Sequence, residues 1–396
     1  MAKEKKIISG IFAPVNVGIN GLGRIGKLLA WYFIANQFFR EIVINLGRKS
    51  GMGLEDIVNY FIKDSTFGSL SYYLYGYNGD YIKITDCIGE REESFVINGV
   101  VVRILRETRV PELIGWDKYG VDVVVDTTGK FLDPSKSADE KSGSLFGHLV
   151  SGAKKVIVSA PFKIKDKASI MLEKTTTVIA GINDDKYDSS IHSIVSTASC
   201  TTTCLAHLLN PLWQEFGEDI LSLYMVTVHA ATSSQPTLDR VPAVGASDLR
   251  KTRSILNNII PTSTGAAKAL PLVIPGIKNI GFGANALRIP TNTGSLVILN
   301  LTLARNTDAG TVNEILRKAA ARDANDYLIF DESQNVSVDI IGSTAACTVE
   351  AAETNVVLGK GGTVSNVVTY GWYDNEAGYM RMMAEVIKKI AKEFVA

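Results

Sequence analysis

The chain has few of the residues that define several classes of protein. Only four cysteines occur in 396 residues, which argues against a disulfide framework and favours a reducing compartment, so we expect a cytoplasmic protein. Lysine plus arginine equal aspartate plus glutamate at 41 each, so composition predicts neither a nucleic-acid nor a membrane partner. No run is long and apolar enough to span a bilayer, and we predict no metal site.

Length predicts more than one folding unit. A chain of 396 residues exceeds what one hydrophobic core normally supports, and 46% of the residues are apolar. Residues 1–14 (MAKEKKIISGIFAP) are basic, but their apolar run is short and ends at Pro14, so we expect no signal peptide.

A dinucleotide-binding fingerprint lies near the N-terminus. Residues 15–20 have the pattern of a buried strand and lead into GLGRIG at 21–26 and then an apolar-periodic helix. Gly21 permits a tight turn, Gly23 allows the backbone to approach a pyrophosphate, and Gly26 allows close helix packing. A second strand over 41–46 completes the β-α-β unit.

The end of that second strand leaves the choice of cofactor open. It reads NLGRKS at 45–50 and offers no carboxylate for the adenine-ribose hydroxyls that NAD-binding units usually hold there. Arg48, with its neighbours Lys49 and Ser50, has the chemistry to accept the 2′-phosphate of NADP. The alternative is a solvated loop with two surface cations. We therefore predict only that NADP is usable.

Further strands predict a doubly wound parallel sheet and a second domain. Residues 121–126 and 155–159 read as parallel strands, and Thr128 and Ser159 at their carboxyl ends are candidates to line the cofactor crevice or simply turn residues. After residue 193 the pattern changes to that of a mainly antiparallel sheet with helices. The predicted strands there are 221–229, 281–289, 295–304 and 364–373, and the predicted helices are 265–273, 311–321 and 376–394.

The segment TASCTTTCLAH at 197–207 places Cys200 at a predicted helix start. A helix N-terminus favours thiolate over thiol, and Ser199 and Thr201 can cap the free N–H groups or bind an oxyanion. The alternative is that Cys200 and Cys204, four residues apart, are small core residues on one helical face. Any histidine partner comes from only four in the chain. His229 lies at the end of a predicted strand, and this position alone fits either a structural or a catalytic role.

The motifs taken together resemble the phosphorylating glyceraldehyde-3-phosphate dehydrogenase family. Their order and spacing fit nearly the whole chain. They are NGLGRIG at Asn20, TASCTTTC at Thr197, HAATSSQ at His229, IIPTSTGAAKA at Ile259, ALRIPT at Ala286 and WYDNEAGY at Trp372.

The resemblance implies a covalent mechanism and a set of site residues. Cys200 would attack the aldehyde of glyceraldehyde 3-phosphate with His229 as its base, and hydride transfer to NAD or NADP would leave a thioester that inorganic phosphate cleaves. The residues matching the phosphate-binding positions are Ser199, Thr201, Thr232, Thr264, Gly265 and Arg288. Those matching cofactor-binding positions are Asn20, Gly21, Gly23, Arg24, Ile25, Gly26, Arg109 and Ser159, with Asn375 on the nicotinamide carboxamide.

The resemblance also implies architecture and assembly. The expected fold is α/β, with a Rossmann-like domain over 1–199, completed by the C-terminal helix 375–396, and an α+β catalytic domain over 200–374. A homotetramer is expected. Alternatives within the fold are erythrose 4-phosphate as substrate or water as acyl acceptor; a catalytically silent NAD(P)-binding regulator is a third, against which the intact Cys200, His229 and Arg288 argue.

Three kinds of position depart from the family pattern. Leu46 stands where NAD-preferring members usually carry aspartate. Thr203 and His207 replace a usual asparagine and a common proline beside the thiol. The stretches 69–104, 162–181 and 238–249 are longer than is usual in the family.

Overall fold

Two sheets organise the chain, each in a unit of its own. The computed structural model describes residue 13 and residues 15–77, 85–88 and 93–395, without the side chains of 85–88 and 395. One unit comprises the residues up to Thr177, 185–197 and those from Ala384 onward, and the other comprises 178–184 and 198–383. Relative to the predicted division, 178–184, 198–199 and 375–383 fall in the second unit. The segment 1–12 and parts of the long stretch 69–104 lie outside the described residues.

The first unit is built on a nine-stranded sheet that is parallel at its centre. Its strands are β1 Asn16–Asn20, β2 Glu41–Asn45, β3 Lys63–Asp64, β4 Gly68–Ser69, β5 Thr85–Ile88, β6 Ser94–Ile97, β7 Val100–Leu105, β8 Val121–Asp126, β9 Lys155–Val158, β10 Thr175–Thr177 and β11 Ile194–Ser196, with β3 and β4 forming a separate pair. Its helices are α1 Arg24–Asn36, α2 Leu54–Phe61, α3 Leu70–Tyr75 and α4 Leu145–Val150. The order β10-β11-β9-β8-β1-β2-β7-β6-β5 puts β1 between β2 and β8, both parallel to it, so the predicted doubly wound sheet is confirmed.

Steric contacts fix the glycine turn between β1 and α1. Gly21 has φ 104°, in the left-handed region that favours glycine. A Cβ on Gly26 would overlap the carbonyl oxygen of Gly21, whereas a Cβ on Gly23 would meet nothing within 4 Å. The turn is therefore closed on the side where the helix packs and open at Gly23.

The second unit is built on an eight-stranded mixed sheet. Its strands are β12 Ile220–Ala230, β13 Ile260–Ser263, β14 Gly281–Ile289, β15 Ser295–Leu303, β16 Leu328–Asp331, β17 Cys347–Glu350, β18 Asn355–Leu358 and β19 Ser365–Tyr373. Its helices are α5 Cys200–Phe216, α6 Ala266–Val273, α7 Ala309–Arg322 and α8 Ala377–Lys392, whose last residues belong to the first unit. The pairs β12–β14 and β16–β17 are parallel and the others antiparallel, which confirms the predicted mainly antiparallel sheet.

The two faces of this second sheet differ in burial. One face forms a hydrophobic core with α5, α6 and α7, and Leu223 and Met225 of β12 belong to it. On the other face Tyr224 remains 45% exposed. Among the described residues, no helix is both long and apolar enough to cross a membrane.

Alanine at Gly26 should destabilise the first unit, and alanine at Gly23 should not. The added methyl group at Gly26 would overlap the Gly21 carbonyl, and overpacking of this kind costs about 3 kcal/mol. We expect urea unfolding to show a loss of this size for Gly26→Ala. Gly23→Ala is the matched control, because its φ of -73° suits alanine and the space is open. Equal stability of the two variants would contradict this account of the turn.

Candidate active site

The start of α5 holds Cys200 in a capped and locally strained turn. Ser199 is the N-cap, and its hydroxyl accepts a hydrogen bond from the backbone N–H of Thr202 at 3.2 Å. Ala198, fully buried, has φ 56°, a left-handed conformation that costs a non-glycine residue roughly 1 kcal/mol or more. The Tyr379 hydroxyl donates to the Ala198 carbonyl at 3.2 Å and helps hold this turn. Cys200 thus occupies the first helical position, where backbone N–H groups favour negative charge.

His229 lies beside this thiol. It is the penultimate residue of β12, it is 4% exposed, and its Nε2 is 3.5 Å from the Cys200 sulfur. In the parallel register of β12 with β14, His229 is paired with Arg288. A sheet strand and a helix start therefore bring together three residues that are far apart in the sequence.

The second ring nitrogen of His229 has two competing partners. Its Nδ1 lies 2.8 Å from the Ala230 carbonyl oxygen and 2.6 Å from Nη1 of Arg288. If Nδ1 carries the proton and donates to Ala230, Nε2 presents a lone pair that can take the thiol proton. If Nδ1 accepts from Arg288, Nε2 carries the proton and donates to sulfur. If both ring nitrogens carried a proton, the Nδ1–H donor would face the N–H donor of Arg288, which is unfavourable.

Burial dominates the protonation of both catalytic candidates. Burial raises the pKa of the Cys200 thiol to about 11, against opposing effects of the Arg288 charge and of hydrogen bonds from Thr201. Burial, and then the Arg288 charge, lower the pKa of His229 to about 3. An isolated charge on either group is costly here. The favourable path for the thiol proton is therefore to the neighbouring Nε2 rather than to solvent.

Arg288 has spare capacity to bind an anion. Its Nη1 also donates to the Ala230 carbonyl at 3.2 Å, while its Nε is buried with no hydrogen-bond partner among the described residues. A buried guanidinium N–H without an acceptor is costly, and an oxyanion would satisfy it.

The other predicted phosphate ligands lie on neighbouring loops. Thr232 follows β12, and its hydroxyl donates to Gln235 at 3.0 Å. Gly265 is the N-cap of α6, with no side-chain cap and with open space around it. Thr264 precedes it and accepts from Ala266 N–H at 3.3 Å. Within the described part of the chain, no hydrogen bond joins Thr232, Thr264 or Gly265 to Cys200, His229 or Arg288.

Asn375 is held by hydroxyl groups in the second unit. Its side-chain oxygen accepts hydrogen bonds from Ser295 at 2.9 Å and from Thr293 at 3.1 Å. Ser295 also accepts from the backbone N–H of Ala230 at 3.0 Å, next to His229. These contacts fix the orientation of the carboxamide. Sequence reasoning did not find Thr293 or Ser295.

The glycine turn of the first unit suits a dinucleotide phosphate. Gly23 is the N-cap of α1 and no side chain caps this helix end, so its first N–H groups can point at an anion. The open space at Gly23 is where a pyrophosphate would approach. The residues present therefore fit the cofactor that the fingerprint predicts. Arg24 and Ile25 begin α1 directly after this turn.

A cavity of about 530 Å³ lies next to the turn and includes Arg48. Its walls are formed by Leu22, Gly23, Leu46, Arg48, Ser50, Gly51, Asp56, Ile57 and Tyr60. Sequence reasoning missed two polar members. Asp56 accepts the Met52 N–H at 2.7 Å, and the Tyr60 hydroxyl donates to the Leu22 carbonyl at 2.9 Å. The cavity therefore contains a carboxylate as well as a guanidinium.

A buried polar network lies under the strand ends of this unit. Asp126 accepts from Asn20 at 2.8 Å, from the Thr128 hydroxyl at 2.6 Å and from the Thr128 N–H at 3.0 Å. His148 Nδ1 accepts from Trp116, so its Nε2 carries the proton, 3.3 Å from Asp126. Asn20 is buried and faces inward, whereas Thr128 is exposed and its hydroxyl bonds back to Asp126 at the strand end. Sequence reasoning did not find Asp126 or His148.

The remaining predicted cofactor residues lie nearby in the same unit. Arg109 packs over Gly47, where a Cβ would come 2.6 Å from the arginine side chain. The Ser159 N–H, directly after β9, donates to the Asp126 carbonyl at 3.0 Å. Across the described ranges, no three His, Cys, Asp or Glu side chains form a group that could hold a metal ion.

The fold and these residues define a class before any relative is considered. A parallel sheet with this fingerprint is typical of a dinucleotide-binding protein, and a half-buried thiol beside an imidazole is typical of covalent catalysis. Residues 15–134 match the family model for the NAD binding domain of glyceraldehyde 3-phosphate dehydrogenase, and residues 199–375 match that for its C-terminal domain.

Curated relatives agree over nearly the whole chain. The glyceraldehyde-3-phosphate dehydrogenase of Geobacillus stearothermophilus is 35% identical over 379 residues, covering 96% of this chain and 99% of the relative. That of Streptomyces coelicolor is 35% identical over 373 residues, covering 94% and 97%. Glyceraldehyde-3-phosphate dehydrogenase 1 of Bacillus subtilis is 35% identical over 379 residues, covering 96% and 99%. The chain belongs to the glyceraldehyde 3-phosphate dehydrogenase family, which confirms the resemblance.

Proposed function

We propose that this chain oxidises D-glyceraldehyde 3-phosphate to 1,3-bisphosphoglycerate with NAD(P) and inorganic phosphate. The observation that carries the proposal is the 3.5 Å contact between the Cys200 sulfur and His229 Nε2 in a member of this family. When bound, the nicotinamide supplies the hydride acceptor. All other steps are assigned to side chains of the second unit.

Cys200 forms and later releases the covalent intermediate. Its sulfur attacks the aldehyde carbon, and the thiol proton passes through His229 Nε2 to the carbonyl oxygen, which gives a thiohemiacetal. Loss of hydride from that carbon, with His229 accepting the hydroxyl proton, leaves a thioester. A phosphate oxygen then attacks the thioester carbon, the C–S bond breaks, and the leaving sulfur takes back the proton held by His229, which restores the thiol and the neutral ring. A cysteine suits this route because a thioester conserves the energy of oxidation.

Anion binding is assigned to local donors, since the net charge of the chain is zero. The orphaned Nε of Arg288 supports its assignment to a phosphate. Ser199, Thr201, Thr232, Thr264 and Gly265 are proposed as the remaining phosphate ligands. Asn375 is proposed to hold the nicotinamide carboxamide, with Thr293 and Ser295 orienting it.

We also propose a homotetramer. The outward face of the second sheet carries apolar side chains, among them Val226, Ile298 and the half-exposed Tyr224, which a second copy of the chain would cover.

Sedimentation should give four times the chain mass, and Tyr224→Glu should dissociate the assembly because it buries a charge in the interface. A monomeric parent protein would contradict the proposal.

Cys200→Ser should abolish the covalent route. We expect phosphate-dependent NAD(P)H formation from glyceraldehyde 3-phosphate to fall by about 1,000-fold or more, because a serine hydroxyl is a far weaker nucleophile than a thiol. The matched control is Cys204→Ala, four residues along α5 in the core, which should retain most activity. Substantial activity in Cys200→Ser would contradict the covalent mechanism. Activity without phosphate, or a preference for erythrose 4-phosphate, would move the assignment to those alternatives.

The cavity beside the fingerprint contains one group that favours NADP binding and one that opposes it. Arg48 and Ser50 have the chemistry to bind a 2′-phosphate, and the Asp56 carboxylate of the same cavity would repel it or accept ribose hydroxyls instead. We propose that NAD and NADP are both used and that these two charges set their ratio.

Substitutions at these charges should move the cofactor ratio in opposite directions. Arg48→Ala should lower kcat/KM for NADP about tenfold with little change for NAD, and Asp56→Asn should raise it for NADP about fivefold. Lys49→Ala is the matched control, since this adjacent cation does not line the cavity. Steady-state kinetics with both cofactors, and fluorescence titration of NADP, measure the effect. The idea fails if Arg48→Ala and Lys49→Ala behave alike.

A further inference from the structure

Three buried hydroxyl groups form a line that ends at the catalytic thiol. Thr227 Oγ1 is 2.8 Å from the Tyr373 hydroxyl, and that hydroxyl is 2.9 Å from Thr201 Oγ1. All three residues are buried, with 5% exposure or less. Thr201 directly follows Cys200 in the chain, and hydrogen bonding from its backbone N–H and its hydroxyl lowers the pKa of the Cys200 thiol. The line thus runs from β12, through β19, to the start of α5.

The surroundings give this line a direction. Among the described residues, the only hydrogen-bond partner of the Thr227 hydroxyl is Tyr373. Burial raises the pKa of the Tyr373 phenol well above its usual range, so this group keeps its proton and can donate it. If Thr227 donates to Tyr373, and Tyr373 to Thr201, then Thr201 donates to sulfur and every proton has an acceptor. The reverse order leaves the Thr227 proton without one.

We propose that Thr227 is a positioning residue that, in the enzyme without bound phosphate, orients this hydroxyl line so that Thr201 donates its hydrogen bond to the Cys200 sulfur. Hydrogen bonds in such a chain polarise one another, and a thiolate at its end gains most from donors that all point toward it. The role deepens the proposed function, because it rests on Cys200 being the nucleophile. It also bears on the base, because the Tyr373 ring lies edge-on to the His229 ring at 5.9 Å and 82°.

Other charged or titratable groups act on the same sulfur but are not part of the line. Arg288 lowers the pKa of Cys200 and Glu376 raises it, and both remain when Thr227 is changed. The groups that face Cys200 from the surrounding elements are His229, Arg288, Tyr373, Cys204 and Glu376.

The test is the pH dependence of Cys200 alkylation by iodoacetamide, a neutral reagent, followed by mass spectrometry. Thr227→Val keeps the side-chain shape and removes the hydroxyl. Because the thiolate loses part of its stabilisation, the pKa of Cys200 should rise. The midpoint of alkylation should move to higher pH, and the rate at a fixed pH below it should fall about threefold.

The chain offers a matched control at Thr369 of β19. Thr369 is fully buried like Thr227, but its hydroxyl has no hydrogen-bond partner among the described residues. Thr369→Val should leave the alkylation profile unchanged, and Thr227→Ser should restore it. An unchanged profile in Thr227→Val, or the same shift in Thr369→Val, would overturn the proposal.

A double-mutant cycle of Thr227 and Tyr373 distinguishes an effect transmitted along the hydroxyl line from a purely structural effect of either substitution. Tyr373→Phe interrupts the line at its centre and should give at least the shift of Thr227→Val. Adding Thr227→Val to Tyr373→Phe should then cause no further shift, whereas additive shifts would overturn the proposal. Alkylation needs neither substrate nor cofactor. A failure of the proposed dehydrogenase activity would therefore be seen separately, in the Cys200→Ser assay.

Discussion

Burial of ionisable groups is the constraint on which the candidate active site depends. The thiol of Cys200, the imidazole of His229 and the guanidinium of Arg288 are largely withdrawn from water. In such surroundings an unpaired charge costs several kcal/mol. The protein must therefore provide each partner itself. The Ala230 carbonyl serves this purpose for His229 and Arg288, and hydrogen bonding from Thr201 does so for Cys200, while the guanidinium Nε has no partner among the described residues.

Every second residue of β12 faces inward, and along the strand these inward residues change from apolar core residues to polar residues of the candidate site. On the inward face of β12, Leu223 and Met225 pack in the core, and Thr227 and His229 follow on the same face at intervals of two residues. Register with β14 then sets Arg288 opposite His229. The same β12 that stabilises the unit therefore positions His229, so a slip in its pairing would remove the candidate site together with the core.

Sequence reasoning was strongest where the signal is local. The glycine turn, the strands beside it and a helix start at Cys200 follow from short patterns, and the structure has them. The pairing of Cys200 with His229 is a long-range contact between a helix and a strand, and only family resemblance indicated it. Asp56 and Thr227 gave no signal, because a carboxylate in a first helical turn and a threonine in a strand are common.

The charge of Arg288 acts in opposite senses on the two groups beside it. It lowers the pKa of the Cys200 thiol, which favours thiolate, and it lowers the pKa of His229, which disfavours imidazolium. In the proposed mechanism, a proton that leaves sulfur for the ring is therefore not held tightly there. That balance suits the role of base that we propose for His229, and it arises because one strand pairing places the guanidinium against the ring.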